Sequence, residues 1–266
     1  ALTLAHDPQF DIPILNARRF LIDQQSDDEI QGETDNTFDG GIGYGGSYTH
    51  SDLSNTHLAL EALYYSRNAL ADSPSASGMK ELNWDAAIQF VQRCQNLPGS
   101  NDQAWASNDP EQRGGFVYFP GDSKAGSFTN PDGTQTHRSY GSMSYAGLLS
   151  FIYADMNLDD PRVVAALDWL QAHFSVEENP GMEHEGLYYY YHTMAKALTI
   201  ARIDELNLAD GSTVDWRDAL ARKLFDLQHP DGYWLNETGR WWEKDPVLVT
   251  AYAVLALEHI VHSMPR

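Results

Sequence analysis

Apolar positions recur at helical spacing in four segments of this 266-residue chain: Ile12–Gln25, Trp84–Gln95, Pro161–Phe174 and Trp216–Gln228. Each has a Trp or Phe near its middle or end and charge on one face, as in Arg18, Arg19 and Asp23, or Arg217, Asp218, Arg222 and Lys223. A turn rich in Gly and aromatic residues follows each segment, and then a second, more apolar helix. These second helices are expected at about Asp52–Tyr65, Ser142–Tyr153, Leu187–Ala201 and Pro246–Val261. The pattern predicts an all-helical protein of stacked helix pairs, because a pair that hides only one face needs neighbours to cover the other.

Local signals agree with that division. Aligning the second helices on small residues puts Ala59, Gly147, Ala195 and Ala253 at one position, where they let neighbouring helices approach closely. Thr56, Ser144, His192 and Thr250 then share another. Glycines in the turns permit the positive φ needed to reverse direction. Asp52 and Asp245 stand where N-caps belong, and Pro246 suits a first helical position. One domain over 1–266 is expected, with repeats at about 12–70, 84–155, 161–205 and 215–262. Residues 1–5, Ala-Leu-Thr-Leu-Ala, match the late part of a second helix and are expected to be the tail of an earlier one.

The stretch Leu227-Gln228-His229-Pro230-Asp231-Gly232-Tyr233-Trp234 resembles the Gln…Asp-Gly-x-Trp motif of the prenyltransferase and squalene-oxidase repeat superfamily. Gln24-Gln25 with Gly40-Gly41-Ile42-Gly43-Tyr44, and Gln95 with Gly114-Gly115-Phe116, are similar copies with longer spacers. The resemblance covers essentially the whole chain and is nearest to bacterial members. It implies an α/α-toroid, as in squalene cyclases and protein prenyltransferase β-subunits, with the second helices on the inside. Four pairs fall short of a closed ring, so an open arc or a piece of a longer chain is expected, completed by further N-terminal repeats or by a second copy. The catalytic signatures of the superfamily do not carry over. No Asp-x-Asp-Asp acid motif occurs, and Cys94 has Gln92 rather than Asp two residues before it, so the zinc ligand set is missing.

Composition narrows the chemistry. With 38 acidic and 17 basic residues the formal charge is −21, which repels nucleic acid and anionic surfaces. A chain 42% hydrophobic and 12% aromatic can bury a sizeable core. The one cysteine, Cys94, leaves no internal disulfide or multi-thiolate site, so neither a metal nor a cofactor is expected. No apolar run approaches the ~20 residues of a membrane span, so no transmembrane segment is expected. The first residues do not read as a secretion signal.

The resemblance implies that the inner-helix entrances face a central cavity. His192, Asp52 and Tyr145 are the candidate catalytic residues; Tyr140, Tyr188, Tyr189, His57, Arg138, Arg240, Trp241 and Trp242 are candidate ligand contacts. Phenols, indoles and imidazoles suit an apolar chain, a carbocation or a sugar face. Each has a plainer alternative. Asp52 could cap a helix, the Tyr188–Tyr191 string could pack the core, and both arginines could pair with nearby acids. The expected function is binding of an apolar isoprenoid-type molecule in an aromatic cavity, with cyclisation or transfer as the implied reaction. A polysaccharide lyase, using Tyr or His as base and Arg to hold a carboxylate, is one alternative. A repeat scaffold without catalysis is another.

Overall fold

A computed structural model describes residues 2–45, 48, 50–69 and 80–264 of the chain; Ala1 and Leu70, at the margins of two expected elements, lie outside the described residues. The described residues are mostly helical. The first helices of the expected pairs, labelled outer after that expectation, are α1 (Asp11–Ile22), α3 (Trp84–Arg93), α5 (Pro161–Ala172) and α7 (Trp216–Leu227). The second helices, labelled inner in the same way, are α2 (Leu53–Ala69), α4 (Gly141–Tyr153), α6 (Leu187–Ile200) and α8 (Pro246–Ser263). Two short antiparallel hairpins join them: β1 (Ser127–Thr129) with β2 (Gln135–His137), and β3 (Glu205–Asn207) with β4 (Thr213–Asp215). Leu2–Ala5 is a 3-10 turn lying against α2.

The inner helices pack side by side in chain order, α2 on α4, α4 on α6 and α6 on α8. Helix α4 is central, with every residue but Ile152 buried. Its Gly147 is required by packing: a Cβ there would stand 2.5 Å from the Phe116 ring. Asp160, Asp215 and Asp245 each accept a hydrogen bond from a backbone N–H of the first turn of α5, α7 and α8, satisfying groups a helix start leaves unpaired. Asp52 does the same for α2 through Asn55 N at 2.8 Å.

One polar device recurs between repeats. Gln25 Nε2 donates to Gly40 O at 3.0 Å, in its own turn, and to Asn83 O at 2.9 Å, at the start of the next outer helix. Gln95 repeats it, donating at 2.9 Å to both Gly114 O and Arg162 O. These glutamines leave the helix to make a bridge, Gln25 with Ile42 and Gln95 with Phe116, which is why α1 and α3 end before the residues that the apolar spacing reached. The turn glycine seats the same outer helix. A Cβ on Gly40 would come within 1.9 Å of Ala86 O, and one on Gly114 within 2.0 Å of Ala165 O. The inner helix fastens the turn in its own way. Thr56 Oγ1 accepts from Ile42 N at 2.9 Å, Ser144 Oγ from Phe116 N at 3.0 Å, and Thr250 Oγ1 from Trp234 N at 3.1 Å.

The third repeat departs from the register expected for it. The hydroxyls of Thr56 and Ser144 lie four residues after the residues preceding their helices, Asp52 and Tyr140, and that of Thr250 five after Asp245, whereas His192 lies six after Gly186. Tyr190 reaches the turn, donating to Ser175 O at 2.8 Å. Two residues are about 200° round a helix, so His192 looks the other way.

Helix α8 is the described helix that is long and apolar enough to cross a membrane by length and composition, at mean hydropathy 1.3. Val249, Ala253, Ala256 and Ile260 are buried, while Val247, Val254 and Val261 are exposed.

The repeat device predicts an asymmetry between two glycines with similar φ, +97° at Gly114 and +89° at Gly232, because nothing lies within 4 Å of a Cβ on Gly232. Gly114→Ala should cost about 1–3 kcal/mol more than Gly232→Ala in urea unfolding. Equal losses would mean that Gly114 does not seat α5.

Candidate functional site

At the N-terminal entrances of the inner helices the turns and helix starts enclose a pocket of about 200 Å³. Tyr44, Tyr118, Tyr140, Tyr189, Tyr252 and Trp241 supply its aromatic wall, with Ser54, Ser142, Met143, Gly186 and Glu243 completing it. At ~30 Å³ per water this is room for roughly six or seven waters, or for one ring or a branched five-carbon unit. The Tyr189 and Tyr252 rings meet edge to face at 5.9 Å, and the Tyr189 hydroxyl lies 3.5 Å from Ser54 Oγ.

Two buried carboxylates support the pocket. Glu243, 1% exposed, accepts from Asn236 Nδ2 at 2.6 Å, Tyr189 N at 2.9 Å and Tyr188 N at 3.3 Å, closing the start of α6. Asp52 is fully buried and accepts from Asn55 Nδ2 at 2.7 Å behind the Tyr118 hydroxyl, which in turn adjoins Tyr44. Burial raises both carboxyl pKa values, and the hydrogen bonds from Asn55 to Asp52, and from Asn236 to Glu243, partly oppose it. Burial likewise holds the pocket phenols protonated, pushing Tyr118, Tyr140 and Tyr189 well above their ordinary range.

The wall at Trp241 is conformationally unusual. Trp241 and Trp242 both have positive φ, +55° and +67°, a costly state for bulky residues. The turn is held by Arg240, which ion-pairs with Glu185 and lies 4.3 Å from the Trp241 ring centre. Trp241 covers Gly186, where a Cβ would come within 3.1 Å of its ring. Trp242 points out, 81% exposed.

The expected site residues therefore separate. Tyr140, Tyr189 and Trp241 line one pocket, with Asp52 one layer behind. Tyr145 does not reach it. It is fully buried against Tyr190, and its hydroxyl has no partner. Tyr188 packs on Tyr191 in the core, the plainer alternative for that string. Arg138 is exposed beside β2, over the Phe128 ring at 5.0 Å. His57 is 1% exposed, 6.4 Å from the Tyr189 ring. Tyr44, Tyr118, Ser54 and Tyr252 join the pocket from outside the expected residues. One signal was available: Gly40–Tyr44 and Gly114–Tyr118 end on tyrosine at the same distance from the aligned glycine.

His192 belongs to a second, larger cavity of about 710 Å³. Leucines 2, 4, 21, 58 and 255 and Ile14 give it an apolar lining, beside His192, His259 and the pair Lys196–Glu61 at 2.9 Å. The His192 ring stacks on Tyr252 at 5.7 Å, so these two rings stand between the two spaces. Among the described residues no group of three potential ligands is placed to hold a metal ion. No protein-family model matches the chain, and no curated protein matches it significantly.

The buried imidazoles set a pH dependence. Burial, reinforced by Lys196, lowers the pKa of His57 to about 4, His192 to about 3 and His259 to about 4. Below the ordinary 6.5 the unfolded chain takes up protons that the folded one refuses, so their contribution is present above 6.5 and lost as pH falls toward 4. The raised pKa values of Asp52 and Glu243 act in the opposite sense. In urea melts, His192→Gln should flatten the acid limb by up to about 1.4 kcal/mol per pH unit. An unchanged limb would show that His192 titrates as in water.

Proposed function

We propose that the chain is an arc of an α/α-toroid of the prenyltransferase and squalene-oxidase repeat superfamily. In this reading it binds the end of an apolar, isoprenoid-type molecule in the pocket at the inner-helix entrances. The in-order packing of α2, α4, α6 and α8 supports the arc, as does the repeated glutamine bridge. The observation that carries the ligand class is the pocket wall: six aromatic rings, two supporting carboxyls pushed toward their neutral form, and no Arg or Lys among the lining residues. Such a wall favours an apolar or cationic group and penalises an anion.

The same geometry weighs against a uronate lyase. Arg138 sits out by the hairpin and Arg240 is paired with Glu185, so neither is free to hold a carboxylate in the pocket. The open space weighs against a scaffold with a filled centre.

Calorimetric titration with farnesol and, separately, with trigalacturonate tests the reading. Farnesol should bind, and Trp241→Ala should weaken it about tenfold by removing one wall. Tyr145→Phe, outside the pocket, should leave the affinity unchanged. Binding of trigalacturonate without farnesol would replace this reading with the carbohydrate one.

A further inference from the structure

Positive charge beside the aromatic pocket is paired, while the negative charge is not. Arg240, over the Trp241 ring at 4.3 Å, pairs with Glu185, and Lys124, over the Tyr118 ring at 4.5 Å, pairs with Asp122. Glu243 in the wall and Asp52 behind it have no ion-pair partner among the described residues; neutral amides and backbone N–H groups hold them. A buried carboxylate without a cation is costly, so a cation that comes to lie beside it is favoured.

The geometry also narrows the kind of cation. Both oxygens of Glu243 already accept hydrogen bonds, Oε1 from Tyr189 N and Oε2 from Asn236 Nδ2 and Tyr188 N. The carboxylate therefore offers charge more than a further acceptor. Around it the wall is made of ring faces, since burial keeps Tyr118, Tyr140 and Tyr189 as neutral phenols. A primary ammonium would bring three N–H donors into that wall and leave them short of acceptors. A quaternary ammonium has no N–H to satisfy, and ring faces attract it through their quadrupoles. A trimethylammonium group on its methylene also has the tetrahedral shape of the branched five-carbon unit for which the volume of about 200 Å³ has room.

We propose that this pocket selects a quaternary ammonium group, with Glu243 as its counter-charge and Trp241, Tyr189 and Tyr252 among the ring faces that enclose it. The inference rests on the reading that the pocket is the ligand site, and adds that the site prefers positive charge over a neutral group of the same shape. The formal charge of −21 acts in the same direction at longer range.

Calorimetric titration of the chain with choline and with neohexyl alcohol, its neutral isostere with carbon in place of the nitrogen, tests the charge preference. Choline should bind about tenfold more tightly than the alcohol. Trp241→Leu, which removes a ring face and keeps an apolar side chain, should weaken choline about three- to tenfold and leave the alcohol unchanged. Trp241→Phe should restore most of that loss. Equal affinity for the two ligands would overturn the proposal, as would choline binding that Trp241→Leu leaves intact. The comparison of the two ligands on the wild type needs no variant, so it stands even where a Trp241 substitution unfolds the turn. Farnesol, titrated in parallel, keeps the two readings apart. Farnesol binding without a preference for choline overturns the charge selection alone, whereas failure of all three ligands to bind removes the pocket reading with it.

Discussion

The junctions between the first three repeats depend on a side-chain amide that joins three chain segments. Gln25 and Gln95 each tie the end of an outer helix to its own turn and to the start of the next outer helix. The bonds of Gln95 are buried or half-buried, so removing its amide strands carbonyls at a cost of ~1–3 kcal/mol, whereas the bond of Gln25 to Asn83 O is exposed and is worth less. The two bridges are not identical. Gln25 Oε1 also accepts from Asn83 N at 3.0 Å, whereas Gln95 Oε1 is unpartnered. The α5 sequence explains that difference, because Asp160 already takes the Arg162 N–H at 2.9 Å.

Fixing one outer helix against the preceding turn also fixes the turn, and the inner-helix hydroxyls of Thr56, Ser144 and Thr250 hold it from the other side. The tyrosines that end two of these turns, Tyr44 and Tyr118, are thereby delivered to the same small pocket as Tyr140 and Tyr189 from the helix starts. The carboxylates serve position as much as chemistry: Asp52 caps α2 and Glu243 closes α6, and both pay for burial with several hydrogen bonds. The positive φ values of Trp241 and Trp242 are held by the Arg240–Glu185 pair and by the closeness of Trp241 to Gly186.

The helix pairs were legible in the sequence because apolar spacing, caps and turn glycines all point to the same boundaries. Asp245-Pro246 is an instance: cap and first helical residue are both read correctly from two letters. The site was legible only in part. Tyr140, Tyr189 and Trp241 follow from their place at helix entrances, but alignment on small residues put His192 in the place of the hydroxyls that fasten a turn, and its Nδ1 makes no such bond. Its imidazole lines the other cavity. Tyr145 and Tyr188 were drawn in by residue type, yet their faces of α4 and α6 point into the core. Glu243 stands in the same last turn as Arg240, Trp241 and Trp242, but that it closes α6 depends on the fold of the turn around Trp241.

The central claim is that each amide bridge holds its own turn against the next outer helix. Hydrogen exchange of the Ile42, Phe116 and Trp234 backbone amides, in the wild type and in Gln95→Ala, tests it most directly. The account predicts that the variant loses protection chiefly at Phe116, whose turn Gln95 holds, and leaves Trp234, two junctions away, as it was. Equal loss at all three amides, or none at Phe116, would contradict it.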